Sequence, residues 1–309
     1  MSAQLIDGRK IAESLKADVA LEVRQLGADG IGCGLATVTV GEEYSSKAYV
    51  RRLGRIAAEL GVPCRHVALP AACAQDDLIA AVRLLNADPA VSGILILRPL
   101  PHHVSEAAVF AALSPVKDIE AVHPENAGLL ALGTPRYIPS TAASAFHVLD
   151  RWLDETGEDP AAFYHRSLIV VVGRSNNVGK PAVSLAYDRQ AAVESVDEWA
   201  SRNGRLGWHT RRADVLIVAA GVAGLIRSEH VREGAVVLDV GINPVRDPRT
   251  GATRMAGDVA FDEVLPRARA MTPVPGGIGP VTDVWLLRNT VTAARNAAGM
   301  DQTTRREGS

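Results

Sequence analysis

The chain has 309 residues, of which 47% are hydrophobic and 22% are charged, and these values are ordinary for a globular protein with a sizeable core. Its formal net charge of -2 gives no reason to expect nucleic acid or an anionic membrane surface as a partner. The three cysteines are an odd number without metal-ligand spacing, which favours a reducing cytoplasm over a disulfide framework and predicts no metal site. We expect no membrane segment, because no apolar stretch is long enough to span a bilayer and the N-terminus does not resemble a signal peptide.

The first half of the chain alternates predicted helices with short apolar strands. Asp7 and Gly8 lie at the start of the first helix, in which apolar residues recur at helical spacing. Segment 42–46 is predicted to be a polar turn in which Ser45 or Ser46 caps the next helix. The predicted helices cover residues 5–26, 49–60, 75–86 and 105–113, and the predicted strands cover residues 34–41, 64–69 and 91–97. This alternation indicates βαβ units and a mostly parallel sheet.

The second half begins after a long segment, residues 115–141, that is rich in proline and glycine and is predicted to be largely loop. A helix at 143–152 is predicted to connect the two halves. Four further strands, mostly apolar, indicate a Rossmann-like domain whose ligand lies at the carboxyl ends of the strands. The remaining predictions are strands at 168–172, 191–196, 214–221 and 235–241, helices from Lys180 and at 281–298, irregular chain at 272–280 and a disordered end at 302–309.

The segment Leu168–Pro181 is the strongest candidate for a binding site. An unbroken apolar run ends at Gly173, and a polar turn leads through Gly179 into a predicted helix. Glycine permits the sharp turn and a close backbone approach, and the free N–H groups at a helix N-terminus attract an anion such as a phosphate. The spacing differs from the common G-x-G-x-x-G fingerprint, so a tight strand-to-helix turn without a ligand remains the alternative.

Several motifs together identify a family. The chain resembles the bifunctional methylenetetrahydrofolate dehydrogenase/cyclohydrolase family, the FolD type, from about Asp7 to Asn289. The motifs that carry the resemblance are Tyr49-Val50, Gly93-Ile-Leu-Ile with Pro99-Leu-Pro101, Lys117-Asp118, His123-Pro124 with Asn126, Leu132-Gly133, Gly173-Arg-Ser, Val178-Gly-Lys-Pro181, Asp239-Val-Gly-Ile-Asn243, Gly257-Asp258 and Thr272-Pro-Val-Pro-Gly-Gly-Ile-Gly-Pro280.

The resemblance implies an α/β fold of two domains with a cleft between them. Residues 1–143 with the last helix, 281–300, are expected to form the folate domain, and residues 144–280 the Rossmann-like domain, with 301–309 as a disordered tail. The implied reactions are oxidation of 5,10-methylenetetrahydrofolate with NADP or NAD, followed by hydrolysis of the methenyl product to 10-formyltetrahydrofolate. A cytoplasmic homodimer that associates through the Rossmann-like domain is expected.

Two departures from the family pattern concern the catalytic positions. The family reads Tyr-Val-x-x-Lys, and here Tyr49 is retained while the lysine position is Leu53. The family's glutamine, which tunes that lysine, corresponds to Leu97. Leucine can neither transfer a proton nor stabilise a charge, and replacing both partners avoids leaving one buried polar group unpaired. We therefore predict that the cyclohydrolase activity is lost or weak.

The implied folate contacts also change. Glu120 stands where the family has an aspartate for the amino-pyrimidine edge of the pterin, and Ala121 replaces a glycine. The resemblance also places the loop Pro275, Gly276 and Gly277 at the substrate. Asp283 stands at a position that is usually apolar in the family, and it is either a new polar contact to folate or a first-turn carboxylate that complements the helix dipole.

The implied dinucleotide site is largely retained. Where the family often has a basic run that holds the 2′-phosphate of NADP, this chain has Asp197-Glu198, which favours the free ribose of NAD, although Arg174 favours NADP. An acidic surface turn is the alternative for Asp197. The resemblance implies these cofactor-binding residues: Gly173, Arg174, Ser175, Val178, Gly179, Ala220, Gly221, Gly241, Ile242 and Asn243. Asp197 is predicted to join them.

Three functions fit this sequence. The favoured one is a folate-dependent dehydrogenase, because hydride transfer mainly requires that two reactants be positioned. The second is a related enzyme that acts on another one-carbon folate or another small substrate. The third is a non-catalytic protein that binds folate or nucleotide, which the retained phosphate loop argues against.

Overall fold

The structure, a computed structural model, describes residues 3–41, 44–246 and 251–300, without the side chains of Tyr44 and Ser45. The helices are α1 (Gly8–Ala28), α2 (Tyr44–Glu59), α3 (Gln75–Ala87), α4 (Glu106–Ala112), α5 (Pro124–Ala131), α6 (Ser140–Thr156), α7 (Pro160–Arg166), α8 (Gly179–Asp188), α9 (Glu198–Arg202), α10 (Leu206–Thr210), α11 (Phe261–Val264) and α12 (Ile278–Ala297). The strands are β1 (Gln4–Leu5), β2 (Leu35–Val40), β3 (Cys64–Leu69), β4 (Gly93–Ile96), β5 (Leu168–Val172), β6 (Ala192–Val196), β7 (Val215–Val218), β8 (Val236–Asp239), β9 (Asn243–Arg246), β10 (Thr253–Ala256) and β11 (Ala270–Met271).

The chain folds into two compact units. Within the described residues, the six-strand unit contains residues 3–13 together with Ser140–Thr282, and the three-strand unit contains Ser14–Pro139 together with residues 283–300. Each unit is built on a parallel sheet, so the prediction of a two-domain α/β fold is confirmed. Among the described residues, no helix combines the length and the apolar character needed to cross a membrane.

The six-strand unit is organised around a sheet in the order β1-β11-β8-β7-β5-β6, in which every neighbouring pair is parallel. The central strands β5, β7 and β8 are buried almost throughout, as expected for a parallel sheet covered on both faces. Their Val and Leu side chains form the core, and a glycine follows each strand within three residues, at Gly173, Gly221 and Gly241. An antiparallel hairpin of β9 and β10 follows β8 in the chain.

The three-strand unit contains a parallel sheet in the order β3-β2-β4. Apolar residues of β2 and β4 pack with those of α3 and α4 in one core cluster. Helix α12 is anchored in this unit by Asn289, whose buried side-chain amide donates to the carbonyl oxygens of Ile119 (2.7 Å) and Ile138 (2.8 Å). These bonds hold α12 against the loop that carries Glu120.

The predicted starts of α1 and α2 differ from the structure. Leu5 belongs to β1 and not to the first helix, which begins at Gly8 because the Asp7 carboxylate accepts a hydrogen bond from the Arg9 N–H at 2.9 Å and so caps it. Helix α2 begins at Tyr44, so Ser45 and Ser46 lie inside it and not at its N-cap. Its first turn has free backbone N–H groups that tolerate serine there. Residues 42 and 43 of the predicted turn lie outside the described residues.

Part of the predicted loop 115–141 is helical. Helix α5 starts at Pro124, whose missing N–H costs nothing in a first turn, and the His123 imidazole accepts from the Glu125 N–H at 3.1 Å as the N-cap. Proline and glycine are typical of loops, but proline also starts helices, so the prediction of a loop is wrong for residues 124–131. Helix α7 is not among the predicted helices, and the predicted disordered end at 302–309 lies outside the described residues.

Candidate functional site

The glycine loop of the six-strand unit connects β5 to α8. Gly173 has a φ of 113°, and a Cβ atom at this position would lie 2.1 Å from the carbonyl oxygen of Ala219. A Cβ atom on Gly179 would lie 2.0 Å from the carbonyl oxygen of Gly173. The Ser175 hydroxyl accepts from the Val178 N–H at 3.2 Å, which fixes the turn between the two glycines. The loop is therefore drawn tightly against the strand ends, as a backbone cradle for a phosphate requires.

Arg174 leaves this loop and reaches the end of β6. Its Nη1 lies 2.8 Å from the carboxylate of Asp197, its Nη2 donates to the Ser195 carbonyl oxygen at 2.7 Å, and its Nε donates to the Ser195 hydroxyl at 3.2 Å. Asp197 also accepts from the Trp199 N–H at 3.1 Å and thereby caps α9. Asp197 therefore fits both predictions. It caps α9, as an acidic residue in a surface turn can, and its carboxylate lies beside the glycine loop, where a cofactor contact is predicted.

Asp258 ties together the loops after β7 and β8. Its fully buried carboxylate accepts from the backbone N–H groups of Ala220 (2.6 Å) and Gly221 (2.8 Å) through one oxygen. The other oxygen accepts from the side-chain amide of Asn243 at 2.8 Å. A Cβ atom on Gly241 would lie 2.2 Å from this carboxylate, so only glycine fits there. Four of the predicted cofactor residues are therefore positioned by one aspartate.

A second buried aspartate, Asp239 at the end of β8, supports the first. Its carboxylate accepts from the N–H groups of Gly241, Asp258 and Val259, each at 3.0 Å. Burial, with a smaller contribution from the negative charge of Asp258, raises the pKa of Asp239 to about 7 against the opposing hydrogen bonds. A Cβ atom on Gly257 would lie 1.8 Å from an Asp239 oxygen, which explains the glycine before Asp258.

Asp239 and Asp258 belong to motifs of the family resemblance but are not among the predicted site residues. The sequence signal that could identify them is an aspartate at the end of an apolar strand or directly after a glycine. The predicted residues Gly173–Gly179, Ala220, Gly221 and Gly241–Asn243 follow three neighbouring strand ends of one parallel sheet, and Ile242 among them is exposed. The tight glycine contacts and the organised loops fit a dinucleotide.

The predicted folate residues of the three-strand unit form a second group. Tyr49 and Arg52 lie one turn apart on α2, and the Arg52 guanidinium carbon lies 5.2 Å from the centre of the Tyr49 ring. The carboxylate of Asp283, on α12, lies 2.9 Å from Nε of Arg52. Burial and the negative charges of Asp283 and Glu120 raise the pKa of Tyr49, which keeps its phenol protonated. Tyr49, Glu120 and Asp283 therefore share one electrostatic environment.

The position of Asp283 excludes one of its two predicted interpretations. Helix α12 begins at Ile278, so Asp283 lies beyond the first turn and does not serve as a first-turn carboxylate. The helix starts earlier than the predicted residue 281 because Pro280 is compatible with its first turn. The ion pair with Arg52 is what satisfies the buried carboxylate of Asp283.

The two leucines that are predicted to stand at the family's catalytic positions differ in exposure. Leu53 is fully buried, with 0% exposure, and belongs to the core of the three-strand unit. Leu97 directly follows β4 and is half-buried, with its N–H bonded to the Val38 carbonyl oxygen at 2.9 Å. Neither side chain can carry a proton.

The loop that carries Glu120 is held by a buried aspartate. Asp118 accepts from the His123 N–H and from the Asn126 side-chain amide, both at 2.8 Å. Ala121 has a φ of 51°, a left-handed conformation that glycine adopts more easily than alanine.

The remaining predicted folate residues, Pro275, Gly276 and Gly277, belong to the six-strand unit. A Cβ atom on Gly8 would lie 1.7 Å from the carbonyl oxygen of Gly277, so this loop packs directly on the start of α1. Gly276 has a φ of 115°, which explains the glycine. The loop is thus rigidly supported within its own unit.

Two family models of one enzyme together match most of the chain. Residues 6–120 match the catalytic domain of tetrahydrofolate dehydrogenase/cyclohydrolase, and residues 140–298 match the NAD(P)-binding domain of the same enzyme. The chain is 62% identical to the Bifunctional protein FolD 3 of Rubrobacter xylanophilus over 96% of this chain and 94% of the relative.

Solved structures agree with these matches. A Campylobacter jejuni FolD is 33% identical, with a TM-score of 0.87 over 96% of this chain and 100% of that one. A Trypanosoma brucei FolD, solved with NADP and an inhibitor, is 34% identical, with a TM-score of 0.87 over 96% and 99%. The resemblance found in the sequence is confirmed: the chain belongs to the tetrahydrofolate dehydrogenase/cyclohydrolase family.

Proposed function

We propose that this protein oxidises 5,10-methylenetetrahydrofolate to 5,10-methenyltetrahydrofolate, with a nicotinamide dinucleotide as the hydride acceptor. The observation that carries the proposal is the convergence of the Gly173–Gly179 loop with the loops held by Asp258. Family membership, and solved relatives that are named as methylenetetrahydrofolate dehydrogenases, support the same substrate. The folate is assigned to the three-strand unit, completed by α12, where Tyr49 offers a ring for stacking and Glu120 a carboxylate for the pterin.

In this mechanism the protein positions two reactants. The bound dinucleotide supplies the acceptor for a hydride that leaves the methylene carbon of the folate. The backbone N–H groups of the glycine loop are assigned to its phosphates, and the loops after β7 and β8 to the remaining contacts. No proton transfer is required in this step, so the absence of a lysine at position 53 does not prevent it.

The test offers 5,10-methylenetetrahydrofolate with NAD⁺ and with NADP⁺ in separate reactions and follows the reduced cofactor by absorbance. Turnover with either cofactor is the expected result. Failure of folded protein to turn over with both would contradict the dehydrogenase and favour an enzyme for another folate derivative or a binding protein. Calorimetric titration with tetrahydrofolate would then show whether a folate site is present, and turnover of other one-carbon folates would separate an enzyme from a binding protein.

We further propose that the cyclohydrolase step is weak in this protein, although its relatives are named bifunctional. The support is the pair Leu53 and Leu97, of which the first is fully buried. Arg52 does not replace the missing lysine, since a guanidinium stays protonated and cannot act as a base. This divergence concerns the second reaction only.

The cofactor preference is predicted to follow from the Arg174–Asp197 ion pair. A 2′-phosphate near Arg174 would meet the carboxylate of Asp197, whereas a free ribose can donate hydrogen bonds to it, so we expect NAD to be preferred. Asp197→Asn removes the charge but keeps a good N-cap for α9. We expect the ratio of kcat/KM for NADP over NAD to rise about tenfold in this variant.

The matched control for this prediction is Glu198→Gln, because Glu198 pairs with Arg202 on the surface and not with Arg174. Its cofactor preference should equal that of the wild type. Equal NADP/NAD ratios in Asp197→Asn and Glu198→Gln would show that Asp197 does not determine the choice.

We also infer a cytoplasmic homodimer that associates through the six-strand unit. The support is that β6 is the outermost strand of its sheet, and such strands offer unpaired backbone groups to a partner. Trp199 and Trp208, in the two helices that follow β6, are 56% and 50% exposed. Sedimentation equilibrium should give twice the monomer mass, and a monomer at micromolar concentration would contradict the inference.

A further inference from the structure

An ion pair joins α2 to α12 beside the candidate folate site. The Asp283 carboxylate contacts Arg52 through both oxygens, at 2.9 Å from Nε and 3.2 Å from Nη2. This two-point contact fixes the plane of the guanidinium, which a single contact to a lysine could not do. The orientation of Arg52 is therefore set by a residue on another helix.

The guanidinium that Asp283 orients lies over one face of the Tyr49 ring, with its central carbon 5.2 Å from the ring centre. A cation over an aromatic face is attracted by the ring quadrupole, so Arg52 restrains the tyrosine ring. Because Arg52 covers one face, a flat ligand that stacks on Tyr49 takes the other. The three side chains form a chain of contacts from Asp283 through Arg52 to Tyr49.

The burial of the pair is unequal. The side chain of Asp283 is only 4% exposed, whereas that of Arg52 is 49% exposed. Burial raises the pKa of Asp283, and the positive charges of Arg52 and Lys16 oppose this effect. Buried ion pairs are often no more stabilising than apolar side chains of similar size, so stability alone does not account for this one. Arg52, the half-exposed member of the pair, is the one that contacts the Tyr49 ring.

We propose that Asp283 is a positioning residue for the substrate: it holds Arg52 over Tyr49 and thereby presents the opposite face of the tyrosine ring to the pterin. The inference rests on the proposed function, which it extends by naming a residue that acts on substrate binding through two others. Glu120, whose negative charge contributes to the raised pKa of Tyr49, would receive the polar edge of the same ring system.

The test compares Asp283→Asn with the wild type in tetrahydrofolate binding by calorimetry and in turnover of methylenetetrahydrofolate. We expect the Kd and KM for the folate to rise about tenfold while kcat changes by less than threefold, because stacking contributes to binding before and during hydride transfer. Asp283→Glu, which keeps the charge, should recover part of the affinity. The control is Arg65→Ala, which removes an ion pair with Asp88 in the same unit, and should bind like the wild type.

A double variant separates positioning from stability. Arg52→Ala alone leaves a buried carboxylate unpaired and should lower the melting temperature, whereas Arg52→Ala/Asp283→Val removes both charges and should recover it. We expect the double variant to remain weak in tetrahydrofolate binding. Binding equal to that of the wild type, in this variant or in Asp283→Asn, would overturn the inference while wild-type turnover leaves the proposed function intact. Wild-type protein that shows neither binding nor turnover would overturn both.

Discussion

Asp258→Ala is expected to lower both the stability of the six-strand unit and its affinity for the dinucleotide. The substitution deletes the acceptor for the N–H groups of Ala220 and Gly221 and for the Asn243 amide. Because the loops are partly accessible to water, which can replace some of these bonds, we expect a loss of about 2–4 kcal/mol in the free energy of unfolding. Dinucleotide affinity should fall at least tenfold, since the loops after β7 and β8 lose their common anchor.

Thermal unfolding and calorimetric titration with NAD⁺ and NADP⁺ measure these two effects. The control is Asp262→Ala, the same chemical change four residues later at an exposed position in the first turn of α11. Asp258→Asn should be intermediate, because one side-chain oxygen remains to accept the two N–H bonds. Identical melting temperatures and dissociation constants for Asp258→Ala and Asp262→Ala would show that the carboxylate does not organise the site.

Leu53→Lys/Leu97→Gln is expected to create or raise cyclohydrolase activity. The two substitutions restore an amine and the amide that tunes it, and general acid–base assistance typically contributes a factor of about 10²–10⁴. We expect methenyltetrahydrofolate to disappear at least about 100-fold faster than with the wild type. Absorbance of the methenyl compound, corrected for its uncatalysed hydrolysis, follows the reaction directly.

The control for this pair is Leu53→Met/Leu97→Met, which keeps both positions apolar and close to their original volume. Leu53→Lys alone should be the least stable variant, because Leu53 is fully buried and its replacement would bury an ammonium group without the glutamine. Rapid hydrolysis of methenyltetrahydrofolate by the wild type would refute the proposed weakness of this step, whether or not the double variant folds.

Much of the fold was predictable because its signals are local. The apolar runs that became β5, β7 and β8 end at glycine or a polar residue, and such runs are typical of strands buried in a parallel sheet. The glycine loop was identified from Gly173 and Gly179, and the structure shows that both positions exclude a Cβ atom. The prediction of secondary structure is wrong where a residue type, such as proline, is common both in loops and at helix starts. Pro124 starts a helix within a segment predicted to be a loop.

The family, the two-unit α/β architecture, the glycine loop and the leucines at positions 53 and 97 can be read from the sequence. The contacts that hold the candidate site together are visible only in the folded chain. Asp283 and Arg52 are 231 residues apart in the chain, and Asp258 bonds to loops nearly 40 residues away. Such partners leave no periodic or adjacent pattern in the sequence, because the hydrogen bonds and ion pairs form only after distant elements pack together. Their roles therefore follow from burial and contact, which the folded chain alone defines.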